Sequence, residues 1–165
     1  MNTRIARRCA LALALSTITL AGSASAQTAT QSVTLAVNAI NQIAFTGSPS
    51  LTITTATAGS NPTSVSDASA TWAVTTNQTG AKITASIASA LPAGITLSAN
   101  LAAPSGGSVS AGSQALGTTA VDLVTGLTKL AQSGMGVTYT LSATAAAGVL
   151  ASTSRVVTYT ITGGT

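Results

Sequence analysis

The sequence predicts an all-β protein, an antiparallel sandwich of about 8–10 short strands. Three observations lead there. β-Branched and aliphatic residues alternate with Thr and Ser nearly from end to end, turn-forming clusters recur between the alternating stretches, and no part of the chain beyond its N-terminal segment sustains a 3.6-residue apolar period. Apolar faces of Val, Ile, Leu and Ala opposite faces of Thr and Ser describe sheets packed on one side and wet on the other.

The chain opens with Arg4, Arg7 and Arg8, continues with the apolar run CALALALSTITLAG, and reaches Ala24-Ser25-Ala26 before Gln27. A basic head, a short apolar middle and a small-x-small ending make residues 1–26 a secretory signal peptide. The apolar part is shorter than the roughly 20 residues a permanent span requires. No second apolar stretch of that length follows, so the expectation is a secreted or extracytoplasmic chain with no transmembrane segment once the signal is removed.

Removing 26 of the 165 residues leaves 139, the size of one domain, read as residues 27–165. Three of the six basic residues leave with the signal, and Lys82, Lys129 and Arg155 then face Asp67 and Asp122 for a side-chain balance of +1. That balance offers no basic patch, so no nucleic-acid partner is expected. Cys9 belongs to the signal, which removes disulfides and thiolate metal sites from the remainder.

Along the chain, QSVTLAVNAINQIAFTG (residues 31–47) reads as a first strand. Val33, Leu35 and Val37 lie on one side of a break at Asn38–Asn41, where the strand changes sheets, and Ile43 and Phe45 lie on the other. The same stretch, apolar, alternating and next to the expected N-terminus, also suits donation to a neighbour's sheet edge. Leu51 and Ile53 mark a short strand. ATWAVTTN and AKITASIA, separated by NQTG, read as a hairpin, with Trp72 as the largest core side chain. ITLSANL forms the next strand after the turn LPAG, and Pro104–Gly117 is the clearest loop. TTAVDLVTGL reads as a strand, with a short helical turn possible in LTKLAQSGM. GVTYTLSATA and SRVVTYTIT close the chain as a final hairpin.

The chemistry of sites is sparse. The chain holds no His and no Glu, and no Cys beyond the signal, so the usual general bases, thiol nucleophiles and soft metal ligands are missing. Asp67 reads as a turn former and Asp122 as a solvated strand residue, with nothing to bring them together as a carboxylate pair. Carboxylates are too few for a multi-ligand calcium cage. Asn77-Gln78-Thr79 matches a glycosylation acceptor pattern, which the hairpin turn explains without sugar. Thr158, Thr160 and Thr162 read as ordinary solvent-facing strand residues rather than an ice-ordering ladder. No catalytic, metal or cofactor-binding residue is assigned, no cofactor is expected, and the protein is read as not an enzyme.

The signal, the VTLAV segment, the Trp-bearing strand followed by TTNQTGAKITASI, and the final YTLSATAAAGVLASTSRVVTYTIT together resemble small secreted bacterial immunoglobulin-like sandwiches. Pilin-like and spore-coat-U-like surface proteins belong to that broad group. The chain departs from many pilin-type subunits in having no disulfide and no penultimate aromatic residue. The resemblance implies a structural or adhesive role outside the cytoplasm, with self-association or other cell-surface proteins as partners. The alternative is a binding module that recognises a glycan or protein through Ala58–Ser69 or Pro104–Gly117.

Overall fold

A computed structural model describes residues 25–165, so the signal read over residues 1–26 lies outside the described residues except for Ser25 and Ala26. The chain divides into two units, residues 1–36 and 37–165, and every strand lies in the second. The protein is all-β: seven strands form one antiparallel sheet, β1 (Asn41–Thr46), β2 (Val65–Ile87), β3 (Ile95–Leu101), β4 (Val109–Ser110), β5 (Gln114–Ala115), β6 (Val121–Ala143) and β7 (Val157–Thr162). One 3-10 turn, Ala145–Ala147, is the only helical element among the described residues.

Two strands of 23 residues, β2 and β6, carry the architecture. They pair with each other from Val65↔Leu141 to Ala85↔Val121. The opposite edge of β2 takes β1 along Thr71–Thr76 and then β7 along Lys82–Ile87. The opposite edge of β6 takes β3 along Val137–Ala143 and β4 at Val124–Thr125, and β5 adds to β3.

Strands this long do not run straight. The β2–β6 register slips repeatedly between Thr76 and Thr84, and each bulge adds a residue on one side that bends the ladder. Gly80 (φ 76°) supplies a left-handed backbone on β2, and Gly126 (φ 74°) and Lys129 (φ 43°) do so on β6. The consequence appears in the packing. Phe45 is paired in register with Trp72 and Tyr159 with Ala85, in opposite halves of β2, yet the two rings stack at 3.8 Å. The two halves of the sheet therefore turn toward each other around one core. Trp72 and Val74 from one half meet Ile83, Ala85, Leu123 and Leu127 from the other, all 2% exposed or less.

Several expectations change. NQTG is not the turn of a hairpin: Asn77–Gly80 lie inside β2, where the same turn-tolerant residues make a corner in a continuous strand. LTKLAQSGM holds no helical turn and belongs to β6. The stretch from Leu51 to Thr54 forms no strand, although Leu51 packs on the core. The sheet has seven strands rather than 8–10 short ones, because each long strand absorbs two expected pieces. Residues 31–37 form no strand at all, so the first strand is not split between sheets: it begins at Asn41.

Trp72 is 1% exposed, and its indole Nε1–H donates to the Ala102 carbonyl at 3.2 Å. Trp72→Ala removes the largest buried side chain and leaves that carbonyl without its donor. Urea titration is expected to show a loss of about 3–5 kcal/mol, a large share of a small domain's total stability.

Candidate functional site: a seam between two edge strands

The structure concentrates the unusual features of the chain along one line, where β1 and β7 follow each other on the same edge of β2. The C-terminal end of β7 meets the start of β1 at the corner. There Thr165 exchanges two backbone hydrogen bonds with Thr79, and Ile40 accepts one from the Asn77 N–H. Gly164 passes so close that a Cβ would sit 1.6 Å from the Thr79 carbonyl oxygen, which only glycine permits.

Beyond the corner the strands separate into two free edges. Among the described residues β1 and β7 each pair only with β2, leaving alternate N–H and C=O groups of both outer edges without a strand partner. Their core-facing residues, Ile43 and Phe45 on β1 and Val157, Tyr159 and Ile161 on β7, pack against the core but remain only partly buried. Both strands thus have the alternation of inner strands without the cover.

All four aromatic residues of the chain gather beneath this seam. Trp72 lies 6.2 Å from Phe45 in a stacked arrangement, Phe45 stacks on Tyr159, and the Tyr159 and Tyr139 hydroxyls share a hydrogen bond of 2.5 Å. Burial pushes the Tyr159 phenol well above its ordinary value, reinforced by the Tyr139 hydroxyl.

Asn77 fixes the chain where it enters the seam. Its Oδ1 accepts from the Ile40 N–H and its Nδ2 donates to the Asn38 carbonyl, both at 2.8 Å. The amide of the acceptor-like tripeptide is thereby committed to holding Asn38–Ile40. Immediately before that clamp, Val33, Leu35 and Val37 are 70%, 87% and 83% exposed.

The charged residues stand apart from this line and from each other. Asp67 lies in β2 opposite Tyr139, and Asp122 lies in β6 opposite Thr84, at opposite ends of the two long strands. The Asp67 carboxylate is an exposed anchor: Ser69, through its side chain first, and the backbone N–H groups of Ser50 and Ser69 hold its carboxyl below the ordinary value. Asp122 pairs with Lys82 across the strands at 3.0 Å, with both side chains nearly half exposed. Arg155 bonds locally to Thr153 and Ser154.

Two shallow depressions, of about 380 and 220 Å³, contain one titratable side chain between them, Lys129. Among the described residues no group of three or more His, Cys, Asp or Glu comes together, and no helix is long and apolar enough to cross a membrane. In the expected binding loop, Ser105 and Gln132 hydrogen-bond to each other, and β4 and β5 tie Val109–Ser110 and Gln114–Ala115 to the sheet. The loop is therefore partly built into the scaffold. The Lys82–Asp122 pair, the Asn77 clamp and the tyrosine pair were absent from the sequence reading. The near-repeat of VTYTL at Val137–Leu141 and VTYTI at Val157–Ile161 is a signal for the last of these.

Two titrations follow. The Asp67 carboxyl sits below its unfolded value of 3.8, so its contribution is present above that value and is lost as pH falls through the folded one. Asp67→Asn is expected to flatten the decline of stability below pH 3.8, measured by urea midpoints. The Tyr159 phenol sits above its unfolded value of 10.0, so its contribution is complete below that pH and is lost progressively above it. Tyr159→Phe is expected to flatten that alkaline decline. A scan of protein-family models and searches of curated proteins and of solved structures find no match to this chain.

Proposed function

We propose that the chain is a non-enzymatic, secreted structural protein, an immunoglobulin-like β-sandwich that serves as a surface, filament or matrix subunit and associates with its own kind by strand addition. One observation carries this reading: an alternating apolar stripe, Val33, Leu35 and Val37, is almost fully exposed and lies outside every strand of its own sheet. Single exposed apolar residues are ordinary, but three in alternation outside every strand suit one side of an unfinished pairing. Burying each of them is worth on the order of 1.5–3 kcal/mol, and the backbone ladder of an added strand adds to this against the entropy of docking.

The remaining observations are consistent with such a role. The basic, apolar and small-residue order of residues 1–26 suits export. The outward faces of the strands consist largely of uncharged Thr, Ser and Ala, and the titratable groups that remain serve local anchoring or a surface ion pair. Glycan recognition draws less support, because sugar-binding surfaces display aromatic rings and all four here turn toward the core.

Light scattering on the chain from Gln27 onward is expected to show assemblies that grow with concentration. Leu35→Asp, which changes only an exposed side chain, is expected to reduce the protein to monomer while leaving its thermal midpoint equal to that of the parent chain at dilutions where the parent is itself monomeric. A monomeric parent chain at high concentration overturns the reading.

A further inference from the structure

The larger depression, of about 380 Å³, lies where the chain enters β1 and where β2 and β6 begin their corner, between Ile40, Thr75–Asn77 and Lys129–Ala131. Most of its polar side chains are already engaged. Asn77 holds the Ile40 N–H and the Asn38 carbonyl and also accepts from Gln78 Nε2. The Thr76 hydroxyl donates to Asn41 Oδ1 while accepting from the Gln78 N–H. What remains for a ligand is the Thr75 hydroxyl and the Lys129 ammonium, beside the aliphatic side chains of Ile40, Leu130 and Ala131.

Two further observations single out Lys129. Its backbone is left-handed (φ 43°), and every other left-handed residue among the described ones is a glycine, including Gly126 three positions earlier on the same strand. Glycine takes up this conformation without strain, whereas a lysine must hold its Cβ against the neighbouring carbonyl. Strain of this kind, retained beside a depression, marks a place where the side chain itself is needed. The second observation is charge. The chain has only two acidic residues, and both are committed, Asp122 to Lys82 at 3.0 Å and Asp67 to the Ser50 and Ser69 N–H groups. Arg155 bonds to Thr153 and Ser154. No side-chain carboxylate of its own chain is left for Lys129.

We infer that the depression at Lys129 binds a small monocarboxylate with an aliphatic body, its carboxylate held by the Lys129 ammonium and the Thr75 hydroxyl and its body laid against Ile40, Leu130 and Ala131. A sugar or nucleotide brings more polar groups than the two that the site leaves free, and each one covered without a partner costs binding. A bare inorganic anion leaves the aliphatic lining unused. The inference does not rest on the association proposed above.

The test follows backbone amide resonances of the chain from Gln27 onward during titration with hexanoate, with 1-hexanol and acetate as comparisons. Saturable shifts are expected at Ile40, Thr75 and Ala131, with affinity falling as salt is raised. Hexanol, which lacks the charge, acetate, which lacks the body, and hexanoate on Lys129→Gln are each expected to bind about tenfold or more weakly. Lys129→Arg is expected to stay within a few-fold of the parent chain. The absence of saturable shifts at these positions overturns the site, as does unchanged affinity in Lys129→Gln. Equal binding of hexanol overturns the role of the charge, and equal binding of acetate overturns the aliphatic part.

Lys129→Gly separates the side chain from the corner that carries it. It is expected to raise the thermal midpoint, because the strain is relieved, and to lose hexanoate binding. A lower midpoint overturns the claim that lysine is kept there against the fold's own preference, and retained binding overturns the site. The same titration on Leu35→Asp is expected to give the parent affinity, so failure of the association proposal leaves this one standing; loss of binding in Leu35→Asp overturns its independence.

Discussion

The pairing of β2 with β6 is the constraint on which the other strands depend. Every remaining strand attaches to one of these two or, for β5, to a strand that does. The pairing is extremely non-local, joining Val65 to Leu141, so a large loop must close before the ladder returns any free energy. What makes the closure worthwhile is the corner between Thr76 and Thr84. A straight pair of such strands would spread its apolar residues over one broad face with nothing opposite. Bent at its bulges, the same pair sets Trp72 and Val74 against Ile83 and Ala85, so that the two strands supply both walls of the core. Gly80 and Gly126 make this possible by accepting backbone angles that the alternating residues on either side would resist, and Lys129 (φ 43°) adopts such angles at the steric cost of its Cβ.

The corner also explains why the seam exists. A sheet that doubles over leaves its edge strands at the open side, and here those edges are β1 and β7. Small domains commonly protect such edges with charges, prolines or very short strands. This chain does none of these along β1 or β7. It places its aromatic rings there instead, with two tyrosine hydroxyls satisfying each other where water would otherwise have to reach. The inward side chains of both edges pack against the core and stay partly buried. Asn77 adds a geometric element: by holding Asn38–Ile40 it fixes the point from which the preceding residues depart.

How far the fold could be read depended on what local alternation encodes. Ile95–Leu101 was legible to the residue, because LPAG marks its start and its inward and outward residues alternate without interruption. Within SRVVTYTIT the strand Val157–Thr162 was legible from its alternation, but its partner was not: it pairs with β2 instead of closing a hairpin with GVTYTLSATA. The long strands were not, since Asn, Gln, Thr and Gly at residues 77–80 are what either a hairpin turn or a bulged corner requires, and only the partner strand decides between them. Val33, Leu35 and Val37 show the same limit from the other side. Alternation specifies that a segment has an apolar face, but not whose core the face meets, so the stripe was visible and its exposure was not. The convergence of Phe45, Tyr139 and Tyr159 on one seam required the topology.

The composition of the exposed segment carries a consequence for solubility. From Gln27 to Gly47 there is no charge and no proline, and β-branched and aliphatic residues alternate throughout its centre. Such a stretch can stack with copies of itself into a cross-β ribbon as well as dock on a folded domain. At high local concentration, exposed copies of this segment therefore carry the risk of nucleating such a ribbon.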